Sequence, residues 1–251
     1  MHSRREVVLG GLLAVGFVPT CACAQSETFG CVISDARIVS MLGSRPPAFA
    51  FNIDNDMVEN GSGNKDFDRA LAITLAKVSE RFNILPGFAF FGEGNEGPNA
   101  FASQSRRLGR SDGSVVFGKA MFNLLMRSAD HPEVGVAAVC SHEFGHILQF
   151  RMGLQNRLVG PDRRVKRLEL HADYLAGYFA GLRKKERPDF PAAVFALTQY
   201  NFGDTLYTNV DHHGTPDERG QAVVAGFEAA YRDGKSLSVA IEEGIRFVAA
   251  I

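Results

Sequence analysis

The sequence predicts an α+β fold that is mainly α-helical, with a small antiparallel sheet beside one central helix. Apolar residues recur at helical spacing in most segments after residue 65, whereas short Phe- and Val-rich runs bounded by turn residues are concentrated between 87 and 118. The 251 residues are 45% hydrophobic, which suits one domain with a sizeable core. We therefore expect a single domain over 25–251, with its core at about 66–232, preceded by a targeting segment.

The first 24 residues have the features of a signal peptide. Arg4 and Arg5 precede an apolar run, 7–18, that is too short to span a bilayer, and Ala22-Cys23-Ala24 offers a cleavage site. The stretch 3–9 resembles a twin-arginine signal, although an ordinary secretory signal is the alternative. Lipid attachment at a cysteine is the less favoured possibility, because Val18-Pro19-Thr20 before Cys21 is a poor match to a lipobox. The prediction is export to the periplasm or the extracellular space, with no transmembrane segment in the mature chain.

Charge and cysteine content narrow the function classes. The net charge of −1 and the absence of a concentrated basic stripe argue against nucleic-acid binding.

Two of the four cysteines, Cys31 and Cys140, lie beyond the signal, and an oxidising compartment would permit them to pair. Alternatively, Cys140 is a small core residue of a buried helix.

Each element follows from local patterning. Helical spacing of apolar residues predicts helices over 66–82, 119–127, 134–150, 168–182, 191–202, 216–232 and 236–251. Short apolar runs predict strands over 32–33, 48–51, 88–91, 99–102 and 113–117. Thr215 and Glu218 form a capping-box pattern around Pro216, which places the preceding histidines on a loop at a helix start.

The helix over 134–150 carries the chemistry. It contains His142-Glu143-Phe144-Gly145-His146, the H-E-x-x-H pattern. Residues four apart lie one turn above the other, so both imidazoles can reach one zinc ion. Glu143 would then project beside the metal, where a general base acts on zinc-bound water. Apolar neighbours of the motif predict that this helix is buried, which leaves a metal as the reason for its polar residues.

A catalytic zinc normally has three protein ligands, and the segment 168–173 supplies the candidates for the third. Glu169 and Asp173 share a helical face, whereas His171 lies about 200° around the helix from Glu169. We therefore expect Glu169 to bind the metal and Asp173 to orient a ligand histidine. For His171 a plain surface or packing role is favoured.

Together, His142-Glu143-x-x-His146 and Glu169-x-x-Ala172-Asp173 resemble the gluzincin metallopeptidases. The closer likeness is to the CAAX-prenyl-protease-type and bacterial neutral zinc metallopeptidases, over residues from about 99 to 232. The resemblance implies a zincin-like domain in which one strand of the pair at 99–102 and 112–116 forms the edge where an extended peptide docks.

The resemblance also implies a role for the loop at 211–219. His213 stands six residues before Arg219, as a histidine and an arginine do in that family. His213 would lie near the metal, either stabilising the oxyanion or occupying the open zinc position in a latent enzyme. Gly214 replaces the family's usual proline.

The function that follows is a zinc-dependent metalloendopeptidase acting on a peptide or protein substrate. Glu143 would take a proton from water and deliver it to the leaving nitrogen, and His213 or a tyrosine would stabilise the oxyanion. The candidate tyrosines are Tyr174, Tyr178 and Tyr207. Two alternatives remain open: a zinc amidase acting on cell-wall peptides, and an exported zinc-binding protein without catalysis.

Overall fold

The computed structural model describes residues 28–29, 32–33, 61–92, 97–106, 108–159 and 163–251. Within them the fold is α+β and mainly α, as predicted. The helices are α1 Lys65–Phe82, α2 Lys119–Leu125, α3 Pro132–Arg151, α4 Gln155–Val159, α5 Lys166–Glu186, α6 Ala193–Asn201, α7 Pro216–Tyr231 and α8 Leu237–Ala249. The strands are β1 Thr28–Phe29, β2 Val32–Ile33, β3 Gly87–Phe91, β4 Ala100–Ser103 and β5 Ser114–Gly118.

All seven predicted helices are present, with ends within a few residues of the expected ones. The short helix α4 was not predicted, because its five residues are too few to show a period. The capping box at the start of α7 is formed as expected. Glu218 N donates to the Thr215 hydroxyl, and Thr215 N donates to the Glu218 carboxylate.

The sheet is mixed, so the prediction of an antiparallel sheet was wrong. Its order is β1-β2-β4-β5-β3. β4 and β5 pair antiparallel, but β3 and β5 pair parallel over their full lengths. The physical reason is that β5 inserts between β3 and β4 instead of leaving these consecutive strands as a hairpin. The expectation that one strand of the pair at 99–102 and 112–116 forms an edge of the sheet was also wrong. β4 lies between β2 and β5, and β5 lies between β4 and β3.

Helix α3 is the centre of the domain. Every residue from Val134 to Gln149 is buried, and α3 packs against α1, α5, α6 and the sheet. The predicted burial of this helix is therefore confirmed, and it explains why α3 lacks a polar face. A Cβ on Gly145 would come within 3.2 Å of the Ala172 backbone, so α3 and α5 approach closely beside the H-E-x-x-H pattern.

Glycines also set the contact between α5 and α7. A Cβ on Gly177 would lie 1.9 Å from the Val223 carbonyl oxygen, and one on Gly226 would lie 1.8 Å from the Tyr174 carbonyl oxygen. Because neither glycine has a side chain, the two backbones touch directly. This close approach brings the first turn of α7, with Arg219, to the buried face of α5.

Several predictions fall on residues that the structure does not describe. The signal peptide at 1–24, Cys31 and the predicted strand at 48–51 all lie outside the described ranges. Cys140 is described and is a buried free thiol. In the part of the chain that the structure describes, every helix is too short or too polar to cross a membrane.

Candidate metal centre

His142 and His146 of α3 meet Glu169 of α5 in one buried cluster. The Nε2 atoms of the two histidines are 3.0 Å apart, and Glu169 Oε2 lies 3.2 Å from His142 Nε2 and 3.5 Å from His146 Nε2. Tetrahedral ligands that each sit about 2.0–2.1 Å from a zinc ion are about 3.3–3.4 Å from one another. The three atoms therefore have the spacing of three ligands of one metal ion.

A second layer of hydrogen bonds orients His142. Its Nδ1 lies 2.7 Å from Asp173 Oδ1. Asp173 in turn accepts two hydrogen bonds from Arg219, at 2.8 Å from Nε and 2.9 Å from Nη2. Because a carboxylate only accepts, His142 Nδ1 carries a proton that is held by Asp173, and Nε2 is the ring nitrogen that a metal would bind on loss of its own proton.

The pKa values of the two carboxyl groups nearest the histidines, Glu169 and Glu143, shift in opposite directions. Burial alone would raise the pKa of Glu169, but His146, His213 and the hydrogen bond from His142 lower it well below its usual value. Glu169 is therefore an anion, as a ligand must be. Burial lowers the pKa of His142, but Asp173 and Glu169 outweigh it and raise this pKa to about 10.

Glu143 lies beside the cluster, next to His142 on α3, and the environment of its carboxylate differs from that of Glu169. Burial raises its pKa to about 7, against smaller opposing effects of His142 and His146. Among the described residues, no donor or acceptor pairs with its Oε2 atom. A buried carboxylate with one oxygen unoccupied and a pKa near neutrality can accept and return a proton.

The loop before α7 carries His212 and His213. Asp204 organises it by accepting hydrogen bonds from the His212 ring and from the His213 backbone N–H, the latter at 2.9 Å. His212 is buried, whereas the side chain of His213 is 31% exposed. His213 is outside the group of three ligands, but its charge acts on Glu169, so this loop borders the cluster. In this geometry His213 does not occupy the fourth position of the metal site.

The three candidate tyrosines occupy different surroundings. Tyr178 donates its hydroxyl to the Lys235 carbonyl oxygen at 2.8 Å, and Tyr174 packs on Phe247 of α8. Tyr207 is exposed and its ring lies 5.6 Å from that of His212. Only Tyr207 among the three stands in the loop that carries His213.

Sequence reasoning missed two residues of the site, Gln149 and Asp204, and placed a third too loosely. Gln149 Oε1 is 2.9 Å from His146 Nδ1, and the i, i+3 spacing of these residues on one helix was a readable signal. For Asp204 no local signal existed, since its contacts depend on the loop's path. His171 is fully buried and contacts Gln149, which excludes the surface role.

The donor set fits a metal ion with borderline-soft preferences. Two imidazoles and one carboxylate are the ligands of many catalytic zinc sites, and three protein ligands leave a fourth position open. All three residues are buried. The Nδ1 atoms of the two histidines are held by hydrogen bonds, that of His142 by Asp173 and that of His146 by Gln149. The cluster can therefore hold a metal ion.

Comparison with known families, with curated proteins and with solved structures gave no match.

Proposed function

We propose that this protein is a zinc-dependent metalloendopeptidase of the gluzincin type. The observation that carries the proposal is the triad of His142, His146 and Glu169, spaced for a tetrahedral ion, with the buried carboxylate of Glu143 next to His142. A carboxylate beside the metal is not needed to hold the ion, whereas hydrolysis requires a base in that place to take a proton from water.

The chain's own residues would divide the work as follows. Bound zinc would supply a Lewis acid that lowers the pKa of water to about 7 and polarises the scissile carbonyl. Glu143 would take the proton of the attacking water on a carboxylate oxygen and later deliver it to the leaving nitrogen. Asp173 and Arg219 would hold the His142 ring in the tautomer that directs Nε2 at the ion.

The loop of His213 is the proposed source of oxyanion stabilisation. His213 is partly exposed and is held by Asp204, so its ring can reach a substrate without leaving the loop. Tyr207 belongs to the same loop and is the tyrosine that we favour for a supporting hydrogen bond. A donor aimed at the developing charge contributes about 10²–10³ in rate in comparable sites.

Burial is the observation that favours the second candidate, a zinc-binding protein without catalysis. His146 and Glu169 are 0% exposed and His142 is 2% exposed, as in closed structural sites. Structural zinc sites, however, use four protein ligands, and this cluster provides three. The peptidase proposal therefore requires that a substrate enter beside the His213 loop.

A single substitution separates the two candidates. Glu143→Gln keeps the shape of the side chain but cannot accept a proton. Zinc-loaded protein lacking residues 1–24 should cleave members of a mixed library of fluorescence-quenched peptides, and the variant should retain zinc and lose at least about 100-fold in rate. Glu133→Gln, on the exposed first turn of the same helix, is the matched control. Equal activity of both variants and wild type would refute the base role.

We also propose that the protein acts after export, on the basis of residues 1–24. Replacing Arg4 and Arg5 by lysine should leave the precursor in the cytoplasm if the twin-arginine interpretation is correct. Normal export of that variant would favour an ordinary secretory signal. Cell fractionation and the mass of the mature N-terminus give the readout.

A further inference from the structure

A continuous hydrogen-bonded path links the metal cluster to the C-terminal helix. It runs from His146 of α3 through Gln149 and His171 to the backbone carbonyl oxygen of Ile241 in α8. Side chains along it are buried: His146 and His171 are 0% exposed and Gln149 is buried too. None of them is a cluster ligand except His146.

Two backbone carbonyls determine the direction of every hydrogen bond in this path. Gln149 Nε2 lies 2.9 Å from the Leu168 carbonyl oxygen, which can only accept. The amide nitrogen of Gln149 must therefore face Leu168, and its Oε1 must face His146 Nδ1 at 2.9 Å. Since Oε1 only accepts, His146 Nδ1 carries a proton, and its Nε2 lone pair is left for the metal.

The same logic applies on the other side of the amide. His171 Nε2 lies 3.2 Å from the Ile241 carbonyl oxygen, so this nitrogen is the donor. In a neutral ring Nδ1 is then an acceptor, and it lies 3.1 Å from Gln149 Nε2, which donates to it. Both amide hydrogens and the amide oxygen of Gln149 are thereby used, and flipping the amide would set donor against donor and acceptor against acceptor.

We infer that Gln149 is the positioning residue of His146, and that His171 acts through Gln149. The inference rests on the metal site proposed above and deepens it. The counterpart for His142 is Asp173, so the two histidines are oriented by different chemistry: a carboxylate paired with Arg219 for one, and a neutral amide for the other.

Gln149 also joins the two helices that carry the ligands. Its acceptor Leu168 is adjacent to Glu169 on α5, so one amide fixes His146 and the backbone next to the third ligand. Helix α8 closes the path from the other side, where a Cβ on Gly244 would come within 3.0 Å of the His171 ring. Docking of α8 thus limits the movement of His171 and, through it, of Gln149.

The first test is the metal affinity of Gln149→Met, which preserves length and removes all three hydrogen bonds. Zinc competition with a chromophoric chelator should show a 10–100-fold weaker site, the usual cost of losing such a partner. The visible spectrum of the cobalt(II)-substituted protein should also change, because the His146 ring is freed to rotate. Leu148→Met, at the neighbouring buried and apolar position, is the control and should match wild type in both measurements.

A double-mutant cycle in zinc affinity tests the order of the residues in the path. His171→Leu should weaken zinc binding less than Gln149→Met does. The double variant should bind no more weakly than Gln149→Met alone, because His171 acts only through Gln149. Additive losses would overturn the role assigned to His171.

The outcomes also distinguish this inference from the proposed function. Zinc bound equally by wild type and Gln149→Met, with unchanged cobalt spectra, would overturn the positioning role while the metal site stands. Absence of zinc binding in wild type would overturn the metal site and the positioning role together. Weaker binding in Gln149→Met but not in Leu148→Met supports both.

Discussion

Replacing Glu143 by glutamine should make the metal-free protein more stable at high pH, although it abolishes the proposed base. Burial raises the pKa of Glu143 from its usual 4.5 to about 7. The folded protein therefore binds this proton more tightly than the unfolded chain does, and stability falls as pH rises from 4.5 to 7. Glutamine carries no charge and avoids this loss.

The size of the effect follows from the two pKa values. Their separation corresponds to about 3 kcal/mol at about 1.4 kcal/mol for each pH unit, of which about 2–3 kcal/mol develops between pH 5 and pH 8. A constant cost of burying the new amide is the same at both pH values and cancels from the comparison. The measured quantity is thus the difference in the variant's stability gain between the two pH values.

Urea unfolding of chelator-treated wild type and Glu143→Gln, at pH 5 and at pH 8, measures this difference. Glu169→Gln is the matched control, since the pKa of Glu169 is lowered in the fold. Its ionised form contributes stability that is already present at pH 5 and is lost only as pH falls below about 4.5, so the effect of this variant should be nearly the same at pH 5 and at pH 8. A gain for Glu143→Gln that is equal at both pH values, or a loss that grows with pH, would refute the reasoning.

Three further predictions address the supports of the site. Replacing Arg219 by leucine removes one of the two partners of the buried Asp173 carboxylate, the other being His142, and should destabilise the protein by about 3–5 kcal/mol in chemical denaturation; an unchanged free energy of unfolding would contradict the buried pair. Gly177→Ala should prevent or severely weaken folding, because its Cβ would lie 1.9 Å from the Val223 carbonyl oxygen; a normal Tm would contradict that contact. Zinc binding near pH 7 should release about one proton, because the pKa of His142 is raised to about 10, so affinity should rise about tenfold per pH unit. Calorimetry in buffers of different ionisation enthalpy would detect that proton, and a heat independent of buffer would exclude it.

The cluster was predictable because its information is local. His142 and His146 are one turn apart, and Glu169 and Asp173 are one turn apart on another helix, so each pair's geometry is contained in its spacing. The structure adds what spacing cannot supply, namely that the two helices face each other. The zinc, the peptidase activity and the roles of His213 and Arg219 remain proposals.

Other features depended on contacts between distant segments. The direction of β3 relative to β5 could not be derived from strands that are buried along their whole length, because such strands lack the alternation that marks one face. Asp204 acts on His212 and His213 through the course of a loop. The close crossing of α5 and α7 had a signal in the small residues Gly177 and Gly181, but their partner helix was not identifiable from them.

Metal content is the most direct test of the central claim, that His142, His146 and Glu169 form one metal site. Zinc should be measured in purified protein lacking residues 1–24, for wild type and Glu169→Ala side by side after equilibration with zinc. We predict about one zinc per wild-type chain and weakened or lost zinc in the variant. Absence of zinc in wild type, or equal retention in both proteins, would contradict the three-ligand site.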